Sequence, residues 1–144
     1  MKRTIILSIV VVNSAFLILV PKAKASEKHE CTLATLEGRY LATGNGERAP
    51  GAIETDFPRV IAGVWVFDGE GNISWLETSS RGGEIRHRTT GTGTYTLDSN
   101  CIGTVVIGAN TADIFVSRDG RVVNLIRTDE GVIATRSFNR DTSK

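Results

Sequence analysis

The chain has 144 residues, 40% hydrophobic and 23% charged, with 15 Gly, 3 Pro, 2 Cys and a formal net charge of +1. That length and apolar content suit one globular domain and exclude extended disorder, a collagen-like repeat and a dense disulfide scaffold. The strong basic excess of a nucleic-acid binder is absent, so nucleic acid is not an expected partner.

Residues 1–25 differ in chemistry from the rest. Lys2 and Arg3 precede the apolar run TIILSIVVVNSAFLILV, and Ala23-Lys24-Ala25 closes it before Ser26. A basic start, an apolar stretch and a small-x-small site make the pattern of a secretory signal peptide. The alternative is a membrane anchor. Thr4 to Val20 is at the short edge of a spanning helix, and Asn13 and Ser14 interrupt it. The expectation is export to the periplasm or the medium, no membrane span after cleavage, and one domain over residues 26–144.

Without Lys2, Arg3, Lys22 and Lys24 the remainder carries 13 basic and 16 acidic residues, a net of −3. Such a balance does not favour a polyanion. Cys31 and Cys101 are the only cysteines, and an even pair in an oxidising compartment reads as a disulfide. It would close a loop of about 70 residues, worth about 4 kcal/mol in the chain-entropy model. A reactive or metal-binding thiol is the alternative, helped by the spacing His29-x-Cys31. Two residues do not make a metal site, and His87 is the only other histidine. No metal or cofactor is expected.

After residue 30 the pattern is short β-branched or aromatic runs broken by Gly, Asp and Asn clusters. Strands are expected over Leu36–Thr43, Val60–Phe67, Ile73–Ser79, Glu84–Leu97, Cys101–Ile107, Ala112–Ser117, Val122–Arg127 and Val132–Phe138. Asp-Gly turns such as Asp68-Gly69 and Asp119-Gly120 make neighbouring strands antiparallel, because Gly supplies the positive φ of a tight hairpin. The fold class is therefore all-β, an antiparallel meander of about eight strands closed into a small barrel. An open or two-sheet β fold is the alternative. The connection Gly44–Pro58 is too long for a hairpin, and its Ala52, Ile53 and Phe57 could fold over a barrel mouth or anchor a surface loop.

The order VFDGEGN, then TGTYTLDSNCIGTVVI, then VNLIRTDEGVIATRSFNR resembles small exported bacterial proteins of the calycin-like or allene-oxide-cyclase-like barrel superfamily. The resemblance covers most of residues 33–140 and rests on turn and strand grammar. It implies a closed barrel with an apolar interior, used either to carry a lipophile or to cyclise an apolar substrate. No catalytic position is carried over by it.

Catalytic signatures are weak in the residues themselves. There is no G-x-S-x-G elbow, and His87, among Glu84-Ile-Arg-His-Arg88, reads as a strand-surface residue. Asp68-Gly-Glu-Gly-Asn72 is faintly like a calcium loop but lacks a following acidic ligand. A ligand cavity has more support. Trp65 and Phe67 share one face of their strand and Val64 and Val66 the other, so both faces should be covered. Candidate covers are the segment carrying Cys31, the 44–58 connection, or a second copy of the chain, which would make a homo-oligomer. Trp75, Tyr95, Phe115, Leu125 and Phe138 are further residues that could line the interior, core packing being the bland alternative for each. Arg39 and Arg127 stand in apolar company. Turned inward, either could hold a ligand carboxylate; burial preference favours them outward, paired with Glu37 or Glu77.

The expected function is non-catalytic binding of a small apolar or amphipathic molecule, with Trp65, Phe67, Trp75, Tyr95, Phe115 and Arg127 as the candidate ligand-binding residues. A cyclase or isomerase acting inside the barrel is the alternative, and an envelope interaction or inhibitor protein a further one.

Overall fold

The computed structural model describes residues 30–48 and 58–142; the expected signal peptide and the residues Ala52, Ile53 and Phe57 lie outside that range. A short 3-10 helix, Leu33–Leu36, precedes eight strands. These are β1 (Gly38–Arg48), β2 (Arg59–Phe67), β3 (Asn72–Arg81), β4 (Glu84–Tyr95), β5 (Ile102–Ile107), β6 (Asn110–Val116), β7 (Val122–Arg127) and β8 (Val132–Arg140). They form a closed barrel in chain order, with every ladder antiparallel. The all-β meander expected from the turns is the fold. β1 continues five residues beyond its expected end, because Gly44–Arg48 pairs with Val132–Arg136 of β8. That ladder satisfies the backbone of a stretch whose own composition favours a loop.

The turns follow from local chemistry. Asp68 Oδ1 accepts from the backbone N–H of Glu70 at 2.8 Å and of Asn72 at 2.9 Å, while Gly69 and Gly71 take φ of 79° and 110°. A carboxylate folded back on its own backbone makes this a turn. Asp98 does the same for Asn100 and Ile102.

Alternation along each strand sends one set of side chains inward. Tyr40, Trp65, Phe67, Ile114, Val123 and Phe138 form the centre of the core. One end of the barrel is plugged by the 3-10 helix, whose Leu36 is fully buried. Tyr95 Oη donates to the Leu33 carbonyl at 2.9 Å. Tyr40 Oη donates to the Gly120 carbonyl at 2.6 Å and accepts from Arg140 Nη2 at 2.7 Å. Arg140 also donates to the Thr35 carbonyl. The expected disulfide, Cys31–Cys101, ties the approach to the plug to the start of β5.

Two expectations about faces are corrected: that the segment carrying Cys31 covers the outer side of β2, and that Phe115 faces inward. The outer side of β2 is not covered by described residues: Val66 is exposed, and so are its outer-face neighbours Leu41 and Leu76. The segment carrying Cys31 closes the barrel end rather than a face. Phe115 also points outward, 48% exposed, because Ala112, Ile114 and Val116 hold the inward positions of β6 and leave it on the opposite parity. Paired with Ile102 of β5 on the outside of the wall, it cannot line the interior.

The barrel wall is uneven. The β4–β5 ladder consists of Thr94–Val106 and Tyr95–Val105 alone. Residues 84–93 of β4 thus have no strand partner on that side among the described residues. The β3–β4 ladder carries a bulge between Glu77 and Ser79, where Arg88 takes a φ of 49°. A bulge bends its strand, and this one lies within the part of β4 that has no β5 partner.

Candidate functional site: a charged chamber opposite the plug

Toward the end opposite the plug, the inward positions of four strands change from apolar to charged. Along β3 the series is Ile73, Trp75, Glu77, Ser79; along β7 it is Val123, Leu125, Arg127; along β8, read backwards, Phe138 gives way to Arg136. β2 contributes Arg59 at its first residue, below Ile61. The period of two places each charge on the face that carries the core.

Glu77 is the centre of this group, with a side chain only 4% exposed. Its Oε1 accepts from Arg59 Nη2 at 2.8 Å and its Oε2 from Arg136 Nη1 at 3.1 Å. The Arg136 guanidinium also lies over the Trp65 ring, 5.0 Å from its centroid. Trp65 in turn stacks on Trp75 at 5.2 Å. Beyond Trp75 lies Gly91 of β4, where an added Cβ would overlap the indole; only glycine lets the ring lie flat on that strand. The Trp65 Nε1–H is buried and has no hydrogen-bond partner among the described residues. Arg127 donates through Nε to the Asp129 carboxylate and through Nη2 to Asn110 Oδ1 at 2.9 Å.

Electrostatics follow from this crowding. Burial pushes the Arg136 guanidinium below its ordinary value; Glu77 opposes that, and repulsion from Arg59 and Arg127 adds to it. Burial raises the Asp129 carboxyl, but the Thr111 N–H and the Arg127 guanidinium outweigh burial and hold it below the usual carboxylate value.

An inner chamber of about 290 Å³ opens among these groups. Trp75, Val105, Ile107, Ala112 and Leu125 make its apolar side, and Arg59, Glu77, Arg127 and Arg136 its charged side. An outer vestibule of about 200 Å³ is bounded by Gly44, Gly46, Ile61 and Ala134. Arg59, Asn110, Arg127 and Arg136 line both spaces. The inner chamber also reaches the gap between β4 and β5, with Arg86, Thr89 and Thr90 on one side and Ile107, Asn110 and Thr111 on the other.

Of the residues singled out from sequence, Trp65, Trp75, Leu125 and Arg127 line the chamber. Arg127 therefore faces inward, against the burial-based preference, because it shares parity with Val123 and Leu125. Phe67 and Tyr95 lie deeper, edge to face at 5.2 Å within the packed core, and do not border the chamber. Arg39 is outside and paired with Asp141. Arg59, Glu77 and Arg136 were not legible as a site from residue types, although the alternation of their strands places each on the Trp or Phe side. No protein-family model, curated protein or solved structure matches the chain.

Proposed function

We propose that the chain is an exported, disulfide-tied barrel that binds a small amphipathic molecule in the inner chamber without changing it chemically. The observation carrying this reading is one concave space with an apolar side and a charged side, the composition of a small-molecule site. The resemblance to calycin-like barrels belongs to the proposal and agrees with it. Glu77 supports a binding role over proton transfer: both its oxygens accept from guanidinium groups, whereas a general base must face the proton it removes.

The test is native mass spectrometry of the protein purified from its own host, before and after organic extraction. The expected result is extra mass released as one small compound. Ala112→Leu should lose that mass while keeping its fold, because Ala112 lines the chamber and the longer side chain fills it. Gly63 is unsuitable for filling, since an added Cβ would run into the Leu76 carbonyl and the Glu77 Cα. An adduct retained by a folded Ala112→Leu protein would sink the reading. Turnover of the released compound would favour the cyclase alternative, and bare protein a surface-interaction role.

A further inference from the structure

We infer that the ligand of this chamber is a compact organic carboxylate, its acid group held by Arg127 and Arg136 and its apolar body against Val105, Ile107, Ala112 and Leu125. This deepens the binding reading and rests on it. The first argument is charge. The described lining of chamber and vestibule holds Arg59, Arg81, Arg86, Arg127 and Arg136, against Glu47 and Glu77 as carboxylates. Asp129 stands behind Arg127 as a third and Glu84 behind Arg86 as a fourth. This positive excess sits in a chain whose part beyond the expected signal peptide is net acidic, so it is a local arrangement.

The second argument is hydrogen-bond supply. Each guanidinium carries five donors, and the contacts described above use one from Arg136 and two from Arg127. Glu77 is already shared by Arg59 and Arg136, so an incoming carboxylate fits on the Arg127 side. There it accepts from guanidinium N–H groups that the described side chains leave over and offsets the repulsion among the guanidinium groups, in the charge-assisted geometry arginine favours. A bare phosphate or sulfate would satisfy the charge but leave the apolar wall uncovered.

The third argument is size. At about 290 Å³ the chamber is at the small end of ligand pockets, roughly 300–1,000 Å³. It suits a compact body, not a long acyl chain. The β4–β5 gap, bordered by the chamber itself, gives such a molecule a side entrance.

Isothermal titration of the full, disulfide-bonded protein tests this with three probes: 2-naphthoate, its neutral counterpart 2-naphthalenemethanol, and hexadecanoate. We expect 2-naphthoate to bind roughly tenfold or more tighter than the alcohol, as a charge-assisted pair implies. Arg127→Gln should remove most of that difference while leaving the weak affinity for the alcohol. Circular dichroism checks that the variant folds. If it does not, the wild-type protein decides: added salt should weaken naphthoate and leave the alcohol unchanged. Equal affinities for acid and alcohol would overturn the carboxylate inference and leave the binding reading standing. Hexadecanoate binding as tightly as naphthoate would overturn the compact-ligand part. No binding of any probe would overturn the inference, while an extractable adduct would still uphold the binding reading.

Discussion

The two tyrosines of the chain, Tyr40 and Tyr95, show how single polar groups fasten the plugged end. Burial raises the pKa of both, with Arg140 partly offsetting it at Tyr40. A hydroxyl that ionises later in the folded than in the unfolded protein adds stability in full below about pH 10, the unfolded value. That stability is lost as pH rises through the folded value. Alkaline titration followed by ultraviolet absorbance should show neither tyrosine ionising near pH 10 while circular dichroism remains native. Ionisation should coincide with unfolding, and a tyrosinate in native protein near pH 10 would refute the assignment. Glu77 is the matching case at the opposite end. Glu77→Gln leaves Arg136 without its anion and should cost about 3 kcal/mol, as for other broken buried pairs. Arg136→Met should cost less, since Arg59 still pairs Glu77, and urea titration of both singles and the double should show non-additivity.

At the level of elements, what the sequence discloses and what it conceals divide by range. Turns such as Asp68–Asn72 are legible because the carboxylate, the glycines and the backbone groups they satisfy are neighbours in the chain. The far half of β1 is not, because β8 rather than local composition makes Gly44–Arg48 a strand. Phe115 was misplaced by residue type where parity would have been the better guide: Asp113 and Phe115 alternate with Ala112, Ile114 and Val116. The plug, too, is held by distant partners, and its worth is measurable. Leu36 is fully buried, so Leu36→Ala should destabilise the protein by about 2–5 kcal/mol. Reducing Cys31–Cys101 should remove about 4 kcal/mol in the chain-entropy model. Thermal melts of the variant and of reduced protein would check both, and an unchanged melt for either would show that the plug contributes little to the barrel.

In the whole molecule, closure brings β2, β3, β7 and β8 to one chamber, and no single stretch of sequence shows that convergence. Arg59, Glu77, Arg127 and Arg136 span 78 positions of the chain; they meet because the register sets their inward parity and the barrel returns β8 to β1. The same closure is strong on one side and weak on the other. The β1–β8 ladder runs from Tyr40–Arg140 to Arg48–Val132, whereas β4 pairs with β5 only at Thr94–Val106 and Tyr95–Val105, continued past its end by Thr96 N–H to the Thr104 carbonyl. Local opening is easiest where backbone hydrogen bonds are few and exposed, so the barrel should breathe at the β4–β5 gap, beside the chamber. Hydrogen exchange should find amides within residues 84–93 that face the gap among the fastest in the strands, and β1–β8 amides among the slowest. Occupancy of the chamber links the two sides of the gap through Thr89, Thr90, Ile107 and Thr111, and a ligand that binds the closed form stabilises it by mass action. Saturating 2-naphthoate should therefore slow exchange around the gap more than at β1–β8. Uniform protection across all ladders would instead mean that the gap neither opens on its own nor responds to the ligand.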